Sequence, residues 1–201
     1  METQQNSGVS TKDLKSTVAE RLYWSYANLG MAEKAVHDGD ASYSKQHFII
    51  RARLYSGFMK GTMSPRSLMR DQKIRMKLPQ ACVYCGVKQG LSIDHVVPTH
   101  RGGEDSGDNA VWACRSCNSS KSDRDIFSWW FESRPGFPPL FVIRVYLKQA
   151  IAYAIAHHLL AERWADIPSS PFSFQTIPTE YPEPRSLVFT PYHARIANSD
   201  A

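Results

Sequence analysis

Cys82-Val83-Tyr84-Cys85, then Ser92-Ile93-Asp94-His95-Val96-Val97-Pro98, then Cys114-Arg115-Ser116-Cys117-Asn118: the reading of residues 82–118 decides the fold. The chain has only four cysteines, in two identical Cys-x-x-Cys spacings with 28 residues between them. Each pair suits a tight turn, so Cys82, Cys85, Cys114 and Cys117 can converge as a tetrahedron on structural Zn²⁺. Two disulfides would need an oxidising compartment, and a redox motif would not need two separated copies. Four protein ligands close the coordination sphere, so this metal is expected to hold structure and perform no chemistry.

Between the two pairs the pattern reads strand, loop, strand, helix. Leu91 to Pro98 is apolar and β-branched, 101–108 is a Gly-containing turn, and Ala110 to Ala113 returns as the second strand. One helix is expected next, with Asn118-Ser119-Ser120 as capping residues. Ile126, Phe127, Trp129, Trp130 and Phe131 supply its apolar face, and the tryptophans read as core. Against that apolar background, Asp94 beside His95 calls for an explanation. An unperturbed imidazole, with a pKa of about 6.5, can take a proton from water near neutral pH, which makes His95 the expected general base. Activity is then expected to fall as pH drops through the range in which imidazole protonates. Asp94 and Asn118 offer hard oxygen ligands, one charged and one neutral, of the type that suits Mg²⁺ or Mn²⁺. Lys121 lies one turn beyond Asn118 on the same helical face, beside a helix N-terminus where phosphate is welcome. Strict strand alternation sends Asp94 and His95 to opposite faces, so sharing one phosphate requires a bend or a site wrapped around the strand edge.

Asp94-His95, Gly102-Gly103, Asp108-Asn109, Cys114-Arg115-Ser116-Cys117-Asn118 and Lys121, in this order inside a four-cysteine clip, resemble the HNH endonuclease family. The resemblance covers about residues 80–132. It implies a ββα-metal hairpin and helix, hydrolysis of phosphodiester bonds in DNA, and Asn109 as the asparagine whose side chain fixes the loop and aims the histidine. Some members carry a second histidine where this chain has Asn118, a departure that argues against zinc or nickel as the catalytic ion. His100 reads as a substitute base or a phosphate contact, and Arg101 as a further phosphate contact. By analogy, such modules serve restriction or phage defence. A zinc-ribbon adaptor that binds without cutting, and an RNA-cleaving enzyme of the same family, remain open alternatives.

Outward from the clip, the expected architecture is α+β: an HNH module at 80–132, flanked by helices. Between Arg51 and Lys88 nine Lys or Arg face one acid, Asp71, although the net charge of the whole chain is only +5. The distribution points to a polyanionic partner. Ser64-Pro65 predicts a helix to about Leu78, on which Arg66, Arg70, Lys73 and Lys77 form one stripe of backbone contacts. The basic region as a whole is placed at 14–79. In it, one helix is expected from Leu14 to about Asp38, broken at Gly30, and a second from Ser42 to Lys60, carrying Phe48, Ile49, Leu54 and Phe58 and stopped at Gly61.

Residues 1–13, METQQNSGVSTKD, read as a disordered polar start with no export signal, so a reducing cytoplasm is expected. After the breaker at 134–139, one apolar helix from Leu140 to about Trp164 is expected within the segment 133–166. Arg144, Lys148, Gln149, His157 and His158 interrupt it and argue against a membrane span. It reads as a core element or as an arm joining a homodimer, which would let two sites cut both strands; a larger defence complex is the other assembly considered. Residues 167–201, rich in Pro and aromatics, are expected to lie as an irregular tail across the surface.

Overall fold

The computed structural model describes residues 16–65, 77–168 and 171–192. The expected N-terminal disorder, and Arg66, Arg70 and Lys73 of the basic stripe, lie outside the described residues, whereas Lys77 is described and exposed.

Helix α1 spans Val18–Asp38. Thr17 and Glu20 make reciprocal bonds, Thr17 Oγ1 accepting from the Glu20 N–H at 3.2 Å and Glu20 Oε2 from the Thr17 N–H at 2.8 Å, which sets the start four residues later than Leu14. The helix runs through Gly30 unbroken to the left-handed Gly39, a correction to the expected break. Gly30 serves the packing instead, because a Cβ there would come within 2.5 Å of Leu54 Cδ1 on the next helix. That helix, α2 (Lys45–Met59), lies against α1 through Trp24–Tyr55 and Tyr26–Phe58 edge contacts, and Gly61 at φ 69° follows its end. Phe58 is buried as its position suggests, but Phe48 and Ile49 are exposed.

Strands β1 (Leu91–His95) and β2 (Ala110–Cys114) form an antiparallel hairpin in which Ile93 pairs with Trp112 and His95 with Ala110. The first strand is three residues shorter than expected. Val96 N–H still reaches Asn109 O at 2.9 Å, but Val97 N–H goes to the Asn109 side chain, so a carboxamide replaces the ladder and the chain turns away. The single helix expected after β2 is two: α3 (Arg115–Lys121) and α4 (Ile126–Ser133). Ser122 breaks it at φ 50°, and Asp125, not Asn118, is the cap, its Oδ1 accepting from the Phe127 and Ser128 N–H groups at 3.1 Å each. Trp129 and Trp130 are core, as expected.

Helix α5 (Leu140–Ala156) stops eight residues before Trp164. The chain after it caps α1: Val18 and Ala19 donate to Glu162 O and Leu160 O at 2.8 and 3.0 Å, satisfying N–H groups a helix start leaves open. Buried residues occur all round α5 within this one chain, so it is a core element and presents no free apolar face for a second copy. Arg144 is held inside by Glu33 and by Tyr26 Oη at 3.2 Å. No helix among the described residues is long and apolar enough to cross a membrane.

The segment 171–192 is irregular but not superficial. Phe172, Phe174, Ile177 and Leu187 are buried. An irregular segment in a core needs partners for its carbonyls, and α1 supplies them. Arg21 donates to Phe174 O at 2.7 Å, Ser25 to Pro178 O at 2.7 Å and Asn28 to Thr179 O at 3.1 Å. The fold is α+β, with a small two-stranded sheet among helices. One hydrophobic cluster joins α1, the cysteine turns, β2, α4, α5 and the tail.

Candidate functional site

The four cysteine sulfurs lie within 4.8 Å of one another. A zinc–sulfur bond of about 2.3 Å in a regular tetrahedron places sulfurs about 3.8 Å apart, and Cys85 Sγ and Cys114 Sγ are separated by 3.7 Å. The residues therefore fit a tetrahedral metal ion. Local backbone explains the convergence. Gly86, left-handed at φ 79°, donates to Cys82 O at 2.8 Å and closes the first turn, and Val83 N–H ties that turn to Trp112 O of β2 at 2.8 Å. The second pair straddles the junction of β2 with α3. Arg134, at the end of α4, donates to Cys117 Sγ at 2.9 Å with its guanidinium 5.0 Å from the Trp129 ring centroid. Burial pushes the Cys85 and Cys117 thiols up, so loading a metal must displace protons.

Behind the clip, β1 and α3 meet through two contacts in step. Asn118 Nδ2 donates to Ser92 Oγ at 3.1 Å, and three residues on, Lys121 Nζ donates to Asp94 Oδ1 at 3.1 Å. The other Asp94 oxygen accepts from Tyr84 Oη at 2.6 Å, inside the first cysteine turn. Lys121 also donates to His95 O at 2.8 Å. Its side chain is 0% exposed and that of Asp94 7%. Lys121 is the last residue of α3, far from the helix N-terminus, and it points inward rather than to solvent, a correction to its expected place beside a phosphate. Burial lowers the Lys121 pKa, and the Asp94 charge opposes that shift. The same carboxylate helps raise the Tyr84 hydroxyl well above its ordinary value, after burial itself.

Alternation holds at the end of β1. Asp94 engages Tyr84 and Lys121, whereas the partly exposed His95 ring donates from Nε2 to Asp105 Oδ1 at 3.0 Å, across the loop. A neutral ring that donates at Nε2 accepts at Nδ1. Asn109 is fully buried and holds the intervening loop at both ends. Its Oδ1 accepts from Val97 N–H at 2.9 Å, and its Nδ2 donates to Val97 O at 2.7 Å and Glu104 O at 2.8 Å. The loop is packed so closely that a Cβ on Gly103 would sit 2.1 Å from Val97 O. His100 is exposed and pairs with Asp123 at 3.4 Å, away from His95's partner. Arg101 is partly buried and its charge acts on Tyr146 in α5, not on open solvent alone.

Tyr84, Asp105, Asp125 and Arg134 were not among the site residues expected from sequence. A buried Asp94 signals by its type that donors must surround it, but nothing local says which residues those are.

Asp94 and Asn118 present the oxygen chemistry a hard divalent cation uses. Asp94 Oδ1 and His95 O already face one cation, the Lys121 ammonium, and the second Asp94 oxygen faces Tyr84.

Residues 82–124 match the family model described as HNH endonuclease. No curated protein and no solved structure matches the chain. The match begins at the first clip cysteine and ends just past Lys121, over the same hairpin and short helix whose contacts hold the Asp94-His95 pair. On that ground the chain carries, at residues 82–124, a domain of the HNH endonuclease family.

Proposed function

We propose that this chain is an endonuclease that hydrolyses phosphodiester bonds in DNA, with residues 80–132 as its nuclease module. The observation that supports it best is the partly exposed His95 ring at the mouth of a hairpin whose loop Asn109 pins through three bonds. His95 Nδ1 takes the proton from an attacking water, and the bond from Nε2–H to Asp105 orients the ring and stabilises the positive charge it acquires. Asn109 keeps the following loop from shifting, so the ring stays aimed. Cys82, Cys85, Cys114 and Cys117 would hold Zn²⁺, which when bound would tie the first turn to β2 and α3. Asp94 and Asn118 would hold a Mg²⁺ or Mn²⁺ ion, which when bound stabilises negative charge on the phosphate and leaving oxygen. The exposed Lys77 and the Arg66, Arg70 and Lys73 positions before it, with Arg101, supply backbone attraction that is sequence-neutral and weakened by salt.

A single hairpin site cuts one strand, so the expected product from supercoiled plasmid with Mg²⁺ is the nicked circle. His95→Ala should retain plasmid binding in a gel-shift assay and lose nicking by about a hundredfold or more. An inert wild-type protein that still binds plasmid would overturn the reading in favour of a zinc-braced adaptor. A parallel digestion of RNA decides the substrate: cleavage of RNA with intact DNA would move the chain to ribonuclease chemistry.

A further inference from the structure

We infer that Lys121 is a built-in cation that competes with the divalent metal for Asp94, so that metal binds only as the lysine is displaced. The inference rests on the proposed metal-dependent reading and deepens it. Its ground is the double engagement of Asp94: Tyr84 Oη holds Oδ2 at 2.6 Å and Lys121 Nζ holds Oδ1 at 3.1 Å. The same ammonium is 2.8 Å from His95 O, so Nζ occupies an oxygen-lined position of the kind a hard cation takes. Lysine and carboxylate are both buried, and neither charge can be left alone there without a large desolvation cost. A lysine suits this task, being a single charge on a flexible four-carbon stem that can leave without the backbone moving. A divalent ion on Asp94 Oδ1 would repel the neighbouring ammonium strongly, because a buried cradle screens the repulsion poorly. In the metal-free protein Lys121 therefore holds the Asp94 carboxylate in place, and on metal entry its ammonium is released toward solvent.

The zinc-loaded protein and its Lys121→Met variant are titrated with Mn²⁺, free ion being read by electron paramagnetic resonance, with Asp94→Asn as the control that removes the ligand. Lys121→Met is expected to bind Mn²⁺ at least about tenfold more tightly than wild type, while melting at a lower temperature in the absence of Mn²⁺. Wild-type protein supplies a second readout that needs no folded variant. Acetylation by acetic anhydride, mapped by mass spectrometry, should spare Lys121 without metal and modify it several-fold faster with saturating Mg²⁺. If wild type binds Mn²⁺ through Asp94 but Lys121→Met binds it no more tightly, or Lys121 stays protected with Mg²⁺, the competition is overturned and the metal-dependent reading stands. If no protein binds Mn²⁺ through Asp94, both fall.

Discussion

Asn109 shows how one buried side chain can hold a whole loop through its backbone. It replaces the ladder at the end of β1 and bonds the backbone on both sides of the 98–103 turn. Asn109→Ala leaves a buried N–H and two carbonyls unpaired, an expected loss of about 2–4 kcal/mol in urea unfolding. Nicking should fall further than stability accounts for, because the loop that aims His95 is freed. Gly103→Ala tests the same loop by crowding, since the added carbon meets Val97 O, a backbone atom that cannot swing aside. A loss of about 2 kcal/mol or more is expected. Arg134 is the comparable residue at the clip. In a zinc-loaded clip its N–H···S bond to Cys117 would offset part of the thiolate charge, so Arg134→Ala should release zinc to a chromophoric chelator with affinity lowered by about tenfold or more.

At the scale of elements, the break between α3 and α4 matters most. The residues before the break meet β1 through polar contacts, and those after it pack an apolar face toward α5. Asp125 caps α4 with one oxygen while its other accepts from Tyr146 Oη of α5 at 2.8 Å. Thr176 of the tail also donates to it, at 3.1 Å. Asp125→Ala removes a cap and orphans a buried phenol together, so unfolding free energy should drop by about 3 kcal/mol, read from denaturant midpoints. The clip is the other element-level device. Elemental analysis should find one zinc per chain, and stripping it should melt the 82–121 region first, read as loss of amide protection there.

Across the whole molecule, the core is shared by segments distant in sequence, with Tyr84 and Tyr146 buried in it and Tyr181 packed against it. Burial raises Tyr146 and Tyr181 above their ordinary value, with the Asp125 charge adding to the effect on Tyr146. An unfolded tyrosine ionises near pH 10 while these stay protonated in the fold. Their contribution is therefore fully present below about pH 10 and is lost above it, as only the unfolded chain releases protons. Lys121, lowered by burial, acts in the opposite sense, but Tyr84 adds to the tyrosine side. The urea midpoint should thus fall between about pH 9 and pH 11, and Tyr146→Phe should flatten that fall.

Local rules made the order of the ligating and polar groups legible along the chain. Cysteine spacing, a glycine turn, strand alternation and a run of apolar residues each act over a few positions, so the clip, the hairpin, the core tryptophans and the acid–imidazole pair could be read along the chain. What the sequence alone determined is therefore the clip cysteines, the polar groups of the hairpin and their order. Only the tertiary structure decided that Lys121 faces Asp94 rather than solvent, that Asp105 holds His95, and that 171–192 threads the core on polar side chains of α1. Those outcomes depend on which buried charge meets which carboxylate and which helix covers which carbonyl. The Lys121–Asp94 and α1–tail pairings are set by burial across long separations, where desolvation outweighs any local preference, whereas the exposed His95–Asp105 contact follows from the path of the intervening loop.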